Sequence, residues 1–291
     1  MSVLKASAEN RPIAAPARFT PPSLPARLNG ARLWRMVDIP KEITHTGHHP
    51  RMAVVWSVLS SEIERFAAGT GATLRILDVG GGSGGFAVPL AELGHDVTVV
   101  EPSANALASL RQRAAEADVT DRVRAVQADA DELPDVAEPG TADLVLCHSV
   151  LEMVDYPDSA LDALARVCAP GGAVSILVSN RIAAVLGKAL SGQFATALDL
   201  LANIDGVIAG RDTIKRRFET ATLTALVGGS GLVTEQVHGV GVVGDLLAAS
   251  AAQTEAATGE ALREFELATA SRVPFRDMAT HIHLLARNPM R

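Results

Sequence analysis

Residues 74–101, reading LRILDVGGGSGGFAVPLAELGHDVTVVE, constrain the fold of this chain more than any other stretch. The apolar run 76–79 carries one acid, Asp78, and breaks into Gly80, Gly81, Gly82, Ser83, Gly84 and Gly85. That pattern predicts a buried strand ending in a tight turn. Phe86, Leu90 and Leu93 then recur at helical spacing, Gly94 stops the helix, and 97–100 reads as a second strand closed by Glu101. Strand, glycine turn, helix, strand and terminal acid together predict a nucleoside-binding βαβ unit. Bare glycine backbone lets a ligand approach closely, and the acid can accept from both ribose hydroxyls. The competing reading is a tight strand-to-helix turn with no ligand.

The acid ahead of the glycines separates ligand classes. A pyrophosphate sits on a helix N-terminus, and a carboxylate two residues before Gly80 would repel it, whereas beside a sulfonium or ammonium group it attracts. The run D-V-G-G-G-S-G at 78–84 resembles the first motif of the class I S-adenosylmethionine-dependent methyltransferases. The resemblance implies S-adenosyl-L-methionine as cofactor, with Gly80, Gly82 and Gly84 against its amino-acid end. It further implies that Asp78 orders the loop and the cofactor's amino group, with Glu101 on the ribose.

Residues 1–30 are rich in Pro, Ala and Arg without periodicity, and are expected to be a disordered tail. Residues 31–70 are expected to form an N-terminal helical lid, because Met52, Val55, Trp56, Leu59, Ile63 and Phe66 follow Pro50 at helical spacing. His45, His48 and His49 lack a neighbouring cysteine or carboxylate pair to complete a metal-ligand set, so a solvated loop and no metal site are expected. Arg51, at the head of that helix, can reach the carboxylate of a bound amino acid or stay on the surface.

The cofactor-binding α/β core is expected over residues 71–181. A helix from Pro102-Ser103, a strand at 123–127, a strand at 143–147, a helix around Leu161 and Leu164 ended by Pro170-Gly171-Gly172, and a strand at 173–178 continue the alternation. In the resembled family an acid past the third strand accepts from the adenine amino group and the next backbone amide meets the ring, which assigns Asp129 and Ala130. His148, after the fourth strand, and Asn180, after the fifth, fall at the carboxyl edge where ligands bind in such sheets, and both are candidate catalytic residues. His148 is also a candidate cofactor contact, or a donor that only holds its loop.

Residues 182–222 break the alternation and read as a helical insert or cap, with the basic cluster Arg211, Lys215, Arg216 and Arg217. Residues 223–291 return to the core, with a strand at 233–243, a helix from Asp245 and a last strand at 280–286. The whole predicts an α/β fold, a doubly wound, mostly parallel, seven-stranded Rossmann-like sheet with a helical insert.

A narrower resemblance rests on H-S-V-L-E-M-V at 148–154, Ser179-Asn180, L-S-G-Q-F at 190–194, H-G-V-G-V-V-G-D-L-L at 238–247 and H-I-H-L-L-A-R at 281–287. These look like the tRNA 5-carboxymethoxyuridine methyltransferases, in which Arg51 would meet the cofactor's carboxylate. That family implies methyl transfer to the carboxylate of a wobble uridine, a reaction driven by positioning and desolvation without a general base. Within 238–247, however, the family pattern carries an arginine, a histidine and a tyrosine where this chain has Gly241, Gly244 and Leu246.

The formal net charge of -7 and aromatic content of 3% argue against a broad nucleic-acid footprint. The expectation is therefore a methyltransferase acting on a small or medium-sized acceptor. The alternatives are the tRNA carboxyl methyltransferase, docking through the insert's cations, and a non-catalytic S-adenosylmethionine-binding module. Cys147 and Cys168 read as core residues. With no leader pattern and no apolar run long enough to span a bilayer, a cytoplasmic protein without a membrane partner is expected. Oligomeric state is not legible.

Overall fold

Strands β1 (Arg75–Val79), β2 (Asp96–Val100), β3 (Val123–Val126), β4 (Ala142–His148), β5 (Cys168–Ser179), β6 (Val233–Val240) and β7 (His281–Arg287) form one sheet in the order β3-β2-β1-β4-β5-β7-β6. The computed structural model describes residues 52–70, 73–208, 210, 212–243 and 256–290. The chain divides into a unit of residues 1–36, outside the described residues, and a unit of residues 37–291. Strands β1 to β5 pair in parallel, and β7 lies antiparallel between β5 and β6. This is the α/β sheet expected from the alternation.

Alternate residues of each central strand face opposite layers. Leu77, Val79, Val145, Cys147, Val174, Ile176 and Val178 pack on one side, Ile76, Val97, Val99, Leu144, Leu146 and Leu177 on the other. Both faces are therefore apolar, as a sheet covered by helices on both sides requires. Helices α1 (Ala53–Thr70), α2 (Ala87–Glu92) and α3 (Ala104–Glu116) cover the second face. The first is covered by α4 (Leu133–Val136), α5 (Pro157–Val167) and, after the insert helices α6 (Arg181–Leu190) and α7 (Phe194–Ala202), by α8 (Thr220–Gly229). Helices α9 (Ala256–Thr269) and α10 (Phe275–Met278) precede β7.

The helix expected over 52–66 forms as α1, with Val55 and Leu59 fully buried. The part of the lid expectation that falls on residues 31–51 lies outside the described residues, as do His45, His48, His49 and Arg51. Helix α5 stops at Val167, before Pro170, because Cys168 already pairs with Ala142 in the sheet. The Pro170-Gly171-Gly172 run occupies the register shift that follows, where a missing N–H is tolerated. Residues 244–255 lie outside the described residues, and with them the expected helix start at Asp245. Among the described residues no helix is long and apolar enough to cross a membrane.

Candidate functional site

The glycine turn, Glu101 and His148 all sit at the carboxyl ends of parallel strands. Gly80 (φ 71°) and Gly84 (φ 82°) occupy left-handed backbone that side chains rarely adopt. A Cβ on Gly80 would lie 2.3 Å from Val150 Cγ2, and one on Gly84 2.3 Å from Leu110 Cδ1. The turn thus packs its backbone against the loop after β4 and against α3. The Gly80 N–H donates to Val100 O at 2.7 Å, which locks the turn to the end of β2.

Beneath the turn lies Asp78, 2% exposed, with its Oδ2 buried and without a partner. Gly81 is what makes room for it, since a Cβ there would stand 2.5 Å from that oxygen. Burial, and secondarily the Glu101 carboxylate, pushes the Asp78 carboxyl up to about 7. Glu101 reaches back over the turn: its Oε2 accepts from Gly82 N–H at 3.1 Å and its Oε1 from Ser103 N–H at 2.9 Å. Each carboxylate oxygen has two acceptor sites, so each keeps one for a further donor.

Asp129 follows β3 and is exposed; its Oδ1 accepts from Ala130 N–H at 2.6 Å, and its own N–H donates to Glu132 Oε2 at 2.8 Å. The Ala130 amide is therefore engaged by its own neighbour. Asn180 is 3% exposed and caps α6 by accepting from Ile182 N–H at 2.9 Å. Its two amide hydrogens donate to Asp277 O at 2.9 Å and Ala279 O at 2.7 Å, fastening β5 to the segment before β7. Glu152 is 3% exposed, with Oε1 accepting from Ser179 Oγ at 2.8 Å and Oε2 unpartnered; burial raises its carboxyl above the ordinary range.

His148 is the last residue of β4. Its ring packs edge-on against Phe86, centroids 4.7 Å apart, and Phe86 stacks on Trp56 of α1 at 5.0 Å. His148 Nε2 lies 2.9 Å from Ser175 Oγ, which lies 2.8 Å from His283 Nε2. His283 Nδ1 in turn faces His238 Nδ1 at 3.5 Å. Desolvation pulls the His148 imidazole down to about 3 and His238 to about 4. At neutral pH these rings are uncharged. His148 Nδ1 is buried without a partner, and Ser149, the next residue, has φ 59°.

Lys215, Arg216, Arg217 and Arg181 are engaged by the protein itself, whereas Lys188 lies in the last turn of α6. Lys215 pairs with Asp155 at 2.5 Å, and Arg217 with Asp212 at 2.7 Å. Arg216 donates to the carbonyls of Leu151, Val154 and Asp155, and Arg181 pairs with Glu219 while also donating to Leu201 and Asn203. Arg211 lies outside the described residues, as do Gly244 and Leu246.

The structure brings Asp78, the glycine turn, Glu101 and His148 into one neighbourhood and places Asp129 and Asn180 at the ends of β3 and β5. Sequence reasoning missed Ser175, His283 and His238, as well as the Glu152–Ser179 pair. The available signal was a lone polar residue within the apolar run of β5, at 175, and a histidine flanked by Ile282 and Leu284 in β7, at 283; β6, reading VTEQVHGV, is too polar to single out 238.

A methyltransferase-domain family model matches residues 77–176. The tRNA 5-carboxymethoxyuridine methyltransferase of Escherichia coli K12 is 30% identical over 247 residues, covering 82% of this chain and 88% of that protein. The ubiquinone biosynthesis O-methyltransferase of Xanthomonas euvesicatoria is 29% identical over 212 residues, 72% of this chain and 80% of the relative. Among solved structures, a Methanosarcina mazei S-adenosylmethionine-dependent methyltransferase superposes with a TM-score of 0.53 at 14% identity, covering 75% of this chain and 94% of that one.

Proposed function

The chain belongs to the class I S-adenosylmethionine-dependent methyltransferases, and we propose that it methylates a small or medium-sized acceptor rather than tRNA. The observation that carries this reading is that Arg216 and Arg217 of the insert, with Arg181 just before it, are half-buried and engaged in holding the insert to the β4 loop and to itself. This leaves Lys215, in an exposed pair with Asp155, and Lys188 as the described cations on its surface. A polyanion would have to break the contacts of Arg216, Arg217 and Arg181 to use them. Gly241 also offers no cation where the resembled tRNA enzymes carry an arginine.

The residues present fit S-adenosylmethionine. The turn at Gly80, Gly82 and Gly84 offers bare backbone, Asp78 an orphaned carboxylate oxygen for the amino group, and Glu101 two open acceptor positions for the ribose hydroxyls. Asp129 and Ala130 are assigned to the adenine end, where the Ala130 amide would turn from Asp129 Oδ1 to the ring, and Arg51, outside the described residues, to the carboxylate. Bound there, the cofactor supplies an electrophilic methyl group on a sulfonium. The protein positions the acceptor against it and excludes water, with His148 and Asn180 bounding the acceptor side.

This arrangement has a proton signature. An ammonium or sulfonium beside Asp78 favours its ionised form, so binding at pH 6 should release up to one proton. Calorimetry in buffers of different ionisation enthalpy reads it directly. Binding without buffer dependence would remove Asp78 from the cofactor contact.

A second reading, the tRNA wobble-uridine carboxyl methyltransferase, is favoured by the 30% identity to the Escherichia coli enzyme over 82% of this chain. The two separate when cell extract is fractionated into tRNA and small molecules and each is incubated with the enzyme and methyl-labelled cofactor. Label is expected in the small-molecule fraction. Label in tRNA, with binding that weakens steeply as salt rises, overturns the proposal.

A further inference from the structure

The line from half-buried His148 through buried Ser175 and His283 to half-buried His238 is not needed by a carboxylate acceptor, which arrives already ionised. It crosses four strands on one face of the sheet: His148 ends β4, Ser175 lies on β5, and His283 of β7 is in register with both Leu177 of β5 and His238 of β6. Polar side chains in an apolar layer cost free energy unless hydrogen-bonded, and of the buried polar atoms in this line His148 Nδ1 alone lacks a partner. That atom belongs to the ring wedged against Phe86, the first residue after the glycine run. The next residue, Ser149, is held at φ 59°, a left-handed conformation that is uncommon for a residue other than glycine and that clusters at functional sites.

We infer that this line fixes His148 as the tautomer with its proton on Nε2 and a bare lone pair on Nδ1, and that the lone pair takes the proton of a hydroxyl acceptor, a phenol or an alcohol. This assignment rests on the small-acceptor reading and names its substrate class.

The proton order follows from the orphaned atom. A neutral imidazole has one N–H and one lone pair. Were the His148 proton on Nδ1, a buried N–H would be left without an acceptor, a situation rare in native structures. With the proton on Nε2 it donates to Ser175 Oγ. Ser175 then donates to His283 Nε2, and His283 donates from Nδ1 toward His238 Nδ1. Each donor from His148 to His283 finds an acceptor, and the proton of His238, whose ring is half-buried, then sits on its Nε2. His148 is the group that touches the acceptor; Ser175 and His283 are positioning residues.

In the reaction the acceptor's O–H bond breaks and its proton forms a bond to His148 Nδ1. An oxygen electron pair forms the new bond to the methyl carbon, and the carbon–sulfur pair stays with sulfur. The resulting imidazolium is solvated through Nε2–H by Ser175 Oγ, and its proton passes from Nδ1 to water as the product leaves. Desolvation keeps the ring a poor resting place for the proton, so the neutral, accepting form is restored after each turnover.

Two measurements test this. In the ligand-free protein labelled with 15N-histidine, NMR should show His148 with a protonated Nε2 and a bare Nδ1 across neutral pH. Ser175→Ala should mix the tautomers, and Ser175→Thr should restore one. The opposite tautomer in the wild-type protein overturns the inference. With 13C-methyl cofactor and a small-molecule extract, the chemical shift of the transferred carbon should be that of an ether. Ser175→Ala should lower kcat on that acceptor about 10-fold or more with KM unchanged, and His148→Asn roughly 10²- to 10⁴-fold. A methyl ester or N-methyl product overturns the hydroxyl assignment alone. Label in tRNA instead overturns the small-acceptor reading, and if no acceptor is found the tautomer decides.

Discussion

Glu101→Ala is expected to weaken S-adenosylmethionine by about 2–4 kcal/mol, on the order of 30- to 700-fold in Kd, because two charge-assisted hydrogen bonds to the ribose are lost together. The carboxylate also accepts from Gly82 and Ser103, so its removal loosens the turn at Gly82 while the Gly80–Val100 backbone bond still holds its start to β2. Glu101→Gln separates the two roles. It keeps the side chain's length but offers one carbonyl oxygen where the acid offered two, and should show an intermediate loss. Calorimetric titration of both variants checks this, with far-ultraviolet dichroism to show that the fold is kept. Unchanged affinity in Glu101→Ala would remove the ribose from this position.

The second large effect concerns stability. Arg287 of β7 donates to Glu62 of α1 through both terminal nitrogens, at 2.9 and 3.0 Å, and to Glu235 of β6 at 2.9 and 2.5 Å. The Glu62 side chain is only 6% exposed, and Arg287→Ala leaves it buried with the half-exposed Arg65, at 3.0 Å, as its remaining cation. Stranding a buried charge fully costs about 3–5 kcal/mol, which sets the upper bound here. Helix α1, whose Trp56 supports Phe86, should loosen from the β6–β7 edge. Denaturant unfolding should show the loss, and Glu62→Leu in the Arg287→Ala background should recover most of it, since the unpaired charge is then gone. A double variant as unstable as the single one would mean that packing of the arginine stem, rather than the stranded carboxylate, sets the cost.

What was legible in the sequence was local. The acid, the glycines and the following helix lie within one βαβ unit, where positive-φ turns and a strand period of two write themselves into composition, and Asp78, Gly80, Gly82, Gly84 and Glu101 fall where that pattern puts them. The histidine line was not legible, because it depends on which strand lies beside which. Ser175 and His283 meet only since β7 inserts antiparallel between β5 and β6, a non-local pairing that no window of sequence contains. Cation function was hidden for a related reason. Lys215 and Arg216 read as a surface cluster until Asp155 and the carbonyls of the β4 loop, about sixty residues away, are seen against them. Asn180 shows the converse: its edge position was readable, but its engagement with the carbonyls of Asp277 and Ala279 was not.

The most direct test of the account is a crystal structure of the full chain with S-adenosylhomocysteine. It should place the ribose hydroxyls on the two carboxylate oxygens of Glu101, the amino group toward Asp78 and the sulfur on the side of His148. A ligand bound away from the glycine turn, or one whose ribose leaves Glu101 hydrogen-bonded only to Gly82 and Ser103, would contradict it.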